Sequence, residues 1–262
     1  MMKTEQHKQN PWTPMLALTL KEVRRFLRIW TQSLIPPMLT STLFIVIFGF
    51  SLGSRISDIS GVSYIEFILP GLMMMGVIMS AYASTSFSLF IQKFHGSIQE
   101  LLVSPISYWQ IIMALTTAAV ARALLVGLGI LVISLLFTSI TIHSFLILLF
   151  FILMTSLLFS FAGIITALWA ENFDQMSVFS TFLITPLTYL GGVFYSIKML
   201  PGLWQHIARF NPILYMVDGF RYGFIGFSDV PLWHSALILS VLTVISFAFC
   251  VRLFRNGYKL RT

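Results

Sequence analysis

Long apolar runs alternate with short polar breaks along this chain, and the runs lack the two-residue alternation of strands. A bilayer core about 30 Å thick needs about 20 helical residues at 1.5 Å each. Charge-free gaps of that size lie at 29–54, 67–92, 175–197 and 230–251. The interval from Glu100 to Glu171 holds one charge, Arg122, and is too long for one helix; Thr138, Ser139, Thr141, His143 and Ser144 divide it. The pattern predicts six transmembrane helices, at 34–54, 67–91, 109–137, 144–169, 176–195 and 232–253. Segments in lipid must satisfy their own backbone hydrogen bonds, so the fold class is an all-α membrane protein.

Composition agrees. Of the 262 residues 57% are hydrophobic and 10% charged, with a mean hydropathy of +0.90. A soluble domain is roughly 25% charged. A water-soluble enzyme, a disordered chain and a disulfide scaffold are excluded, the last because Cys250 is the one cysteine.

The net charge of +7 is concentrated at the ends. Lys3, Lys8, Lys21, Arg24, Arg25 and Arg28 precede the first run, and Arg252, Arg255, Lys259 and Arg261 follow the last. Basic residues mark the cytoplasmic side. Both termini are therefore expected in the cytoplasm, which requires an even number of spans. The charge reads as membrane topology, with no nucleic-acid partner. No small-residue cleavage site follows the first apolar run, so no cleavable leader is expected.

Residues 12–30 read as an amphipathic helix lying in the membrane interface. Leu16, Leu20, Val23, Leu27 and Trp30 share one face; Lys21, Arg24, Arg25 and Arg28 fill the sector opposite. Between spans two and three, Ile98, Leu101 and Leu102 follow helical spacing, with Gly96 before them and Pro105 after. The apolar side of that short helix needs a cover, which the residues leave open between a partner protein and the membrane surface. The loop 196–231 is apolar but broken by Pro201-Gly202, Asn211-Pro212 and Pro231, a pattern for re-entrant segments. Within it Asp218 and Arg221 are placed to pair across one helical turn.

Arg122 is the charge deep in a span, where insertion costs about 2.5–3.5 kcal/mol. It reads either as a pathway or gating cation or as an inward structural pair, with Glu66, Glu171 and Asp174 as the candidate partners, or as a side chain that snorkels to a nearby interface. Gly49 and Gly53 have GxxxG spacing, which suits packing within one subunit. No phosphate-binding GxxxxGK[ST] loop, no HExxH and no paired Cys/His spacing occurs. Catalytic residues and a metal site are not expected. No chain of carboxylates lies within the spans, so any energy for transport is expected from another polypeptide.

Two stretches resemble the permease subunit of ABC type-2 exporters: FHGSIQELLVSPISYWQII at 94–112 and LTYLGGVFYSIKMLPGLWQHIARFNPILYMVDGFRYGF at 187–224. The likeness extends over essentially the whole chain and is similar to bacterial inner-membrane permeases that export capsule or lipooligosaccharide-type glycolipids. The resemblance implies an interfacial helix within 1–33, a six-span domain over 34–253 and a cytoplasmic tail over 254–262. It implies a coupling helix at 94–105, with Phe94, Gly96, Ile98, Leu101, Leu102 and Pro105 against the ATPase, and a re-entrant hairpin at 198–227. Two ATP-binding-cassette subunits would bind ATP and Mg, leaving no cofactor in this chain. A second permease copy, as a homodimer, and membrane lipid complete the implied partners. Arg122, Asp218 and Arg221 are the pathway or gating candidates. A self-contained channel or carrier with Arg122 in its pathway is the alternative.

Overall fold

Ser63 starts the longest helix through a capping box: its Oγ accepts from Glu66 N at 3.4 Å, and the Glu66 carboxylate accepts from Ser63 N at 3.1 Å. This helix, α3 (Tyr64–Phe94), has 31 residues. At 1.5 Å per residue it is about 46 Å long and overshoots a bilayer core. A computed structural model describes residues 12–51, 53, 59 and 61–259. Lys3, Lys8, Arg55 and Arg261, used above for orientation and span limits, lie outside those residues.

Ahead of α3 come α1 (Thr13–Arg28) and α2 (Trp30–Ser51). After it come α4 (Ile98–Val103), α5 (Tyr108–Ser134) and α6 (Phe145–Trp169). A composite run follows: α7 (Phe173–Val178), a π-helical segment (Phe179–Ile184) and α8 (Thr185–Leu190). Then come a 3₁₀ turn (Ile197–Met199), α9 (Gly202–Arg209), α10 (Pro212–Ile225) and α11 (Leu232–Arg255).

Among the described residues five helices are long and apolar enough to cross a membrane: α2 over Trp30–Gly49, α3, α5, α6 and α11. The expected span at 176–195 falls on the composite run, which stops at Leu190 before Gly191-Gly192 instead of forming one regular helix.

Helix α3 is the centre of the bundle. Its most apolar window is 78% buried, against 22% for α2 and for α11. Phe67, Leu72, Met74 and Ile78 of α3 join Val126 and Ile130 of α5, Phe151 of α6 and Phe220 of α10 in one core. Small residues bring α3 and α6 together: Thr85 Oγ1 donates to Ser160 O at 2.8 Å. A Cβ on Gly163 would lie 2.2 Å from Thr85 Oγ1 and 2.6 Å from Tyr82 O, so only glycine fits that crossing. On the outer helices Leu39, Leu43, Ile47, Leu237, Val244 and Phe249 point away from the protein. Apolar faces of that extent suit lipid or another subunit.

Helix α1 has three faces where two were expected. Leu16, Leu20 and Leu27 do face outward, as does Trp30 at the start of α2, and Lys21, Arg24 and Arg28 are exposed. A third stripe, Leu18, Glu22 and Phe26, is buried against the bundle, and Arg25 turns toward it. The helix runs alongside the first half of α5, with Trp12 edge-on to Trp109 at 5.6 Å.

Helices α9 and α10 have 8 and 14 residues, too short to span. Asn211 Oδ1 caps α10 by accepting from Ile213 N at 3.0 Å. The far end of α10 is tied to the start of α6, where His143 N donates to Phe224 O at 3.1 Å and Ser144 N to Gly223 O at 2.9 Å. Arg221 of α10 reaches Phe67 near the start of α3, whereas α4 follows Phe94 at its end. The hairpin and α4 thus sit at opposite ends of the central helix, about 40 Å apart.

Candidate functional site

The first candidate region is the elbow after α3. Gly96 has φ +73, a left-handed conformation that costs other residues about 1–2 kcal/mol, and a Cβ there would meet nothing within 4 Å. The turn reverses the chain into α4. Ile98 is 2% exposed and sits in the core with Leu89, Phe90 and Leu115; Leu101 and Leu102 pack on the same cluster. Ile98 is thus covered by this chain itself, whereas Leu101 and Leu102 are half-buried and keep part of their surface outward. The outward surface is Phe94 (60% exposed), Gly96, Gln99, Glu100, Val103 (86%) and Pro105.

The elbow is tied to its neighbours. Lys93 Nζ donates to Leu168 O at 2.9 Å and Ala170 O at 2.8 Å, closing the carbonyl end of α6. Phe173 lies 4.9 Å from Phe90 and 5.4 Å from Phe94, ring to ring. Lys259 in the tail donates to Trp169 O at 3.1 Å and to Glu171 Oε1 at 2.6 Å. That hydrogen bond and charge hold the Glu171 carboxyl below its usual value.

A buried carboxylate joins α1 to the same end of α3, and the sequence reading did not identify it. Glu22, 3% exposed, accepts from Ser88 Oγ at 2.6 Å, Gln92 Nε2 at 3.2 Å and Arg25 Nε at 3.0 Å. Arg25 also donates to Ser84 O at 3.4 Å. The available signal was Leu18, Glu22 and Phe26 at four-residue intervals, one face of a helix.

Arg122 takes none of the expected acidic partners. Its Nη2 donates to Ser33 O at 3.1 Å, and its Nε is buried without a hydrogen-bond partner. The reason lies in α2. Pro37 has no N–H to give the Ser33 carbonyl four residues earlier, so that acceptor is free for a side chain. The acids are engaged or distant: Glu66 caps α3, Glu171 holds Lys259, and Asp174 is exposed in the first turn of α7. Beside Arg122 is a partly open cavity of about 380 Å³. Gln32, Ser33, Thr40 and Ser41 line it from α2; Met75, Met79 and Ser80 from α3; Ser180 from the π-helical segment.

Asp218 and Arg221 do not form the expected ion pair. Asp218 accepts from Asp229 N at 2.7 Å and Val230 N at 3.1 Å. Arg221 donates to Phe67 O at 3.2 Å and Gly192 O at 2.5 Å, with its guanidinium 3.9 Å from the Phe67 ring centre. Both side chains are fully buried and serve backbone groups, because the irregular segment around them exposes more amides and carbonyls than helices do. Asp229 extends the knot, accepting from Ser196 Oγ at 2.6 Å and Ile197 N at 3.1 Å. Among the described residues no group of three or more His, Cys, Asp or Glu is placed to hold a metal.

Comparison with known proteins places this geometry in a family. The pattern of the ABC-2 type transporter matches residues 13–225, from the start of α1 to the end of α10. The inner membrane transport permease YadH of Escherichia coli K12 is 45% identical over 251 residues, covering 96% of this chain and 98% of that protein. Nodulation protein J of Rhizobium meliloti is 29% identical over 196 residues, covering 74% and 73% respectively. Nodulation protein J of Rhizobium leguminosarum bv. trifolii is 26% identical over 210 residues, covering 79% and 80%. With a family match that takes in both the elbow and the hairpin, this chain belongs to the ABC-2 type transporter family.

Proposed function

We propose that this chain is the permease subunit of an ATP-driven exporter, powered by a separate ATP-binding-cassette ATPase. The observation that carries this reading is the elbow. A short helix anchored by Ile98 presents Phe94, Val103 and Pro105 outward, at one end of the central helix, against which α2, α5, α6 and α10 pack. A push on α4 would be delivered to α3 and, through Lys93 and Phe173, to α6 and the composite run. Packed helices shift as rigid bodies, so a small displacement there can open or close a pathway.

In this reading two ATPase subunits bind ATP and Mg and serve a homodimer of this chain. The composite run 173–190 counts as the fifth of six spans, both termini are cytoplasmic, and the protein resides in a bacterial inner membrane, as the name of the relative YadH supports. The charged face of α1 borders the cytoplasmic mouth, and the hairpin over 198–227 caps the outer exit. The cargo is hydrophobic, of the glycolipid or polysaccharide type.

The test is co-purification with the ATPase. Gly96→Asp and Val103→Glu are expected to abolish association while leaving the permease monodisperse in detergent. An unchanged complex in both variants would overturn the coupling role. A second reading, a self-contained channel with Arg122 in its pathway, draws support from the cavity beside Arg122. Flux through liposomes that hold this chain alone would establish it.

A further inference from the structure

The cavity beside Arg122 carries a guanidinium with no counter-charge. Among the described residues no carboxylate lies within 4.0 Å of Arg122, and its guanidinium donates to one neutral carbonyl, that of Ser33. The buried carboxylate of α1, Glu22, is already bound by Arg25, Ser88 and Gln92. An unpaired cation removed from water is costly, so such a site calls for an anion. The wall offers more than charge. Ser80 is 2% exposed and lines the cavity, and its buried Oγ has no hydrogen-bond partner among the described residues. Beside these donors Met75, Met79 and Phe87 form an apolar surface that adapts to a chain-like ligand. One wall is also keyed to the composite run: Tyr82 stacks on Phe179 at 6.1 Å and donates to Met176 O at 3.3 Å. π-Helical turns are frequent at functional sites.

We infer that this cavity binds the anionic group of an amphiphile, a phosphate or carboxylate on an apolar tail, with Arg122 and Ser80 on the anion and Met75, Met79 and Phe87 along the tail. Arg122 lies on α5 next to the junction of α1 and α2, where α1, running alongside the first half of α5, ends. The ligand therefore enters from the leaflet that α1 borders. This rests on the permease reading for its role as cargo, but the binding itself does not require transport.

The full chain in phosphatidylcholine nanodiscs is titrated with dodecyl phosphate, dodecyl maltoside and inorganic phosphate, and thermal stabilisation is recorded. Dodecyl phosphate is expected to bind saturably, and at least about tenfold more tightly than either control. Arg122→Gln should lower that affinity by about tenfold, equivalent to about 1.4 kcal/mol, with Arg122→Lys intermediate. Ser80→Phe, which keeps the cation and fills the cavity, should abolish tail binding and guards against a fold defect at Arg122. Equal affinity in wild type and Arg122→Gln, or equal binding of dodecyl maltoside, overturns the inference. Equal binding of inorganic phosphate assigns the site to the free ion and overturns the amphiphile. Inter-subunit cross-linking through Met79→Cys with no amphiphile binding assigns the cavity to a second copy and overturns it too. Failure of the wild-type chain to co-purify with any ATPase, with Arg122-dependent binding intact, would instead remove the permease reading and leave the site standing.

Discussion

Glu22 accepts a hydrogen bond from Ser88 at 2.6 Å although the two residues are 66 positions apart. One carboxylate thereby fastens the amphipathic helix to the end of α3 that leads into the elbow. Hydrogen bonds to charged groups contribute about 1.5–3 kcal/mol, and orphaning a buried charge costs more. Glu22→Ala is expected to destabilise the protein by roughly 3 kcal/mol and Ser88→Ala by about 1.5 kcal/mol. Thermal unfolding in nanodiscs would measure both; equal, negligible shifts would show that α1 is held by apolar packing alone.

Gly96 separates backbone conformation from space. Because a Cβ at that position meets nothing, Gly96→Ala is penalised only by φ, about 1–2 kcal/mol, and Gly96→Asn by less. Co-purified ATPase should fall in the order Gly, Asn, Ala, Val. A Val variant that associates as fully as wild type would mean that the turn is not needed for docking.

Arg221 serves two carbonyls and one aromatic face at once. Lysine has neither the planar fork nor the stacking surface. Arg221→Lys is therefore expected to lose about 2 kcal/mol, little better than Arg221→Met, since the fork that reaches the Phe67 and Gly192 carbonyls together is lost in each. Full rescue by Lys, read as an unchanged unfolding midpoint, would show that charge rather than geometry matters there.

The tail contact between Lys259 and Glu171 has a defined pH window. Hydrogen bonding to Lys259, then its charge, lowers the Glu171 carboxyl from 4.5. A lowered acid stabilises the docked tail above its ordinary value and loses that contribution as pH falls through the folded value. Lys259 is raised from 10.5 by the same bond, so its contribution is complete below 10.5 and is lost as pH rises past the folded value. Docking should hold between about pH 5 and 10 and release in acid. A fluorophore at Tyr258→Cys would report release, and Glu171→Gln should remove the acid transition. Glu171 is exposed and Lys259 half-exposed, so added salt should weaken the contact.

The crossing of α3 and α6 leaves no room at Gly163. Gly163→Val forces the helices apart, and overpacking of this kind costs about 1–3 kcal/mol. Cysteines at Thr85 and Ser160, whose parent residues are hydrogen-bonded, should cross-link with Gly163 in place and lose that reaction in Gly163→Val.

Some of this was legible along the chain because lipid solvates side chains by simple rules. Helix locations follow from apolar runs near bilayer length, and α3, α5, α6 and α11 lie close to the runs that predict them. The π-helical stretch at Phe179–Ile184 was not legible: its sequence is as apolar as a regular helix, and its wide turn is set by contacts such as Tyr82 on Phe179. The short helix α4 was legible from Gly96 and Pro105, but not that Ile98 is buried, with Leu101 and Leu102 half-buried, against this chain's own bundle, because spacing gives a face and not its partner. Arg122 stood out as a charge within a span. Its acceptor did not, since the Ser33 carbonyl is free only because Pro37 follows it by four residues on another helix.

The sequence by itself determined the solvent, the helical class and the location of the elbow and hairpin, since these depend on local composition and on single punctuating residues. Tertiary structure alone decided which polar groups meet: Glu22 with Ser88, Arg122 with the Ser33 carbonyl, and Asp218 and Arg221 with separate backbone partners. The physical reason is that a helix satisfies its own backbone wherever it lies. Its buried side chains find partners only through packing against neighbours that are distant in the chain.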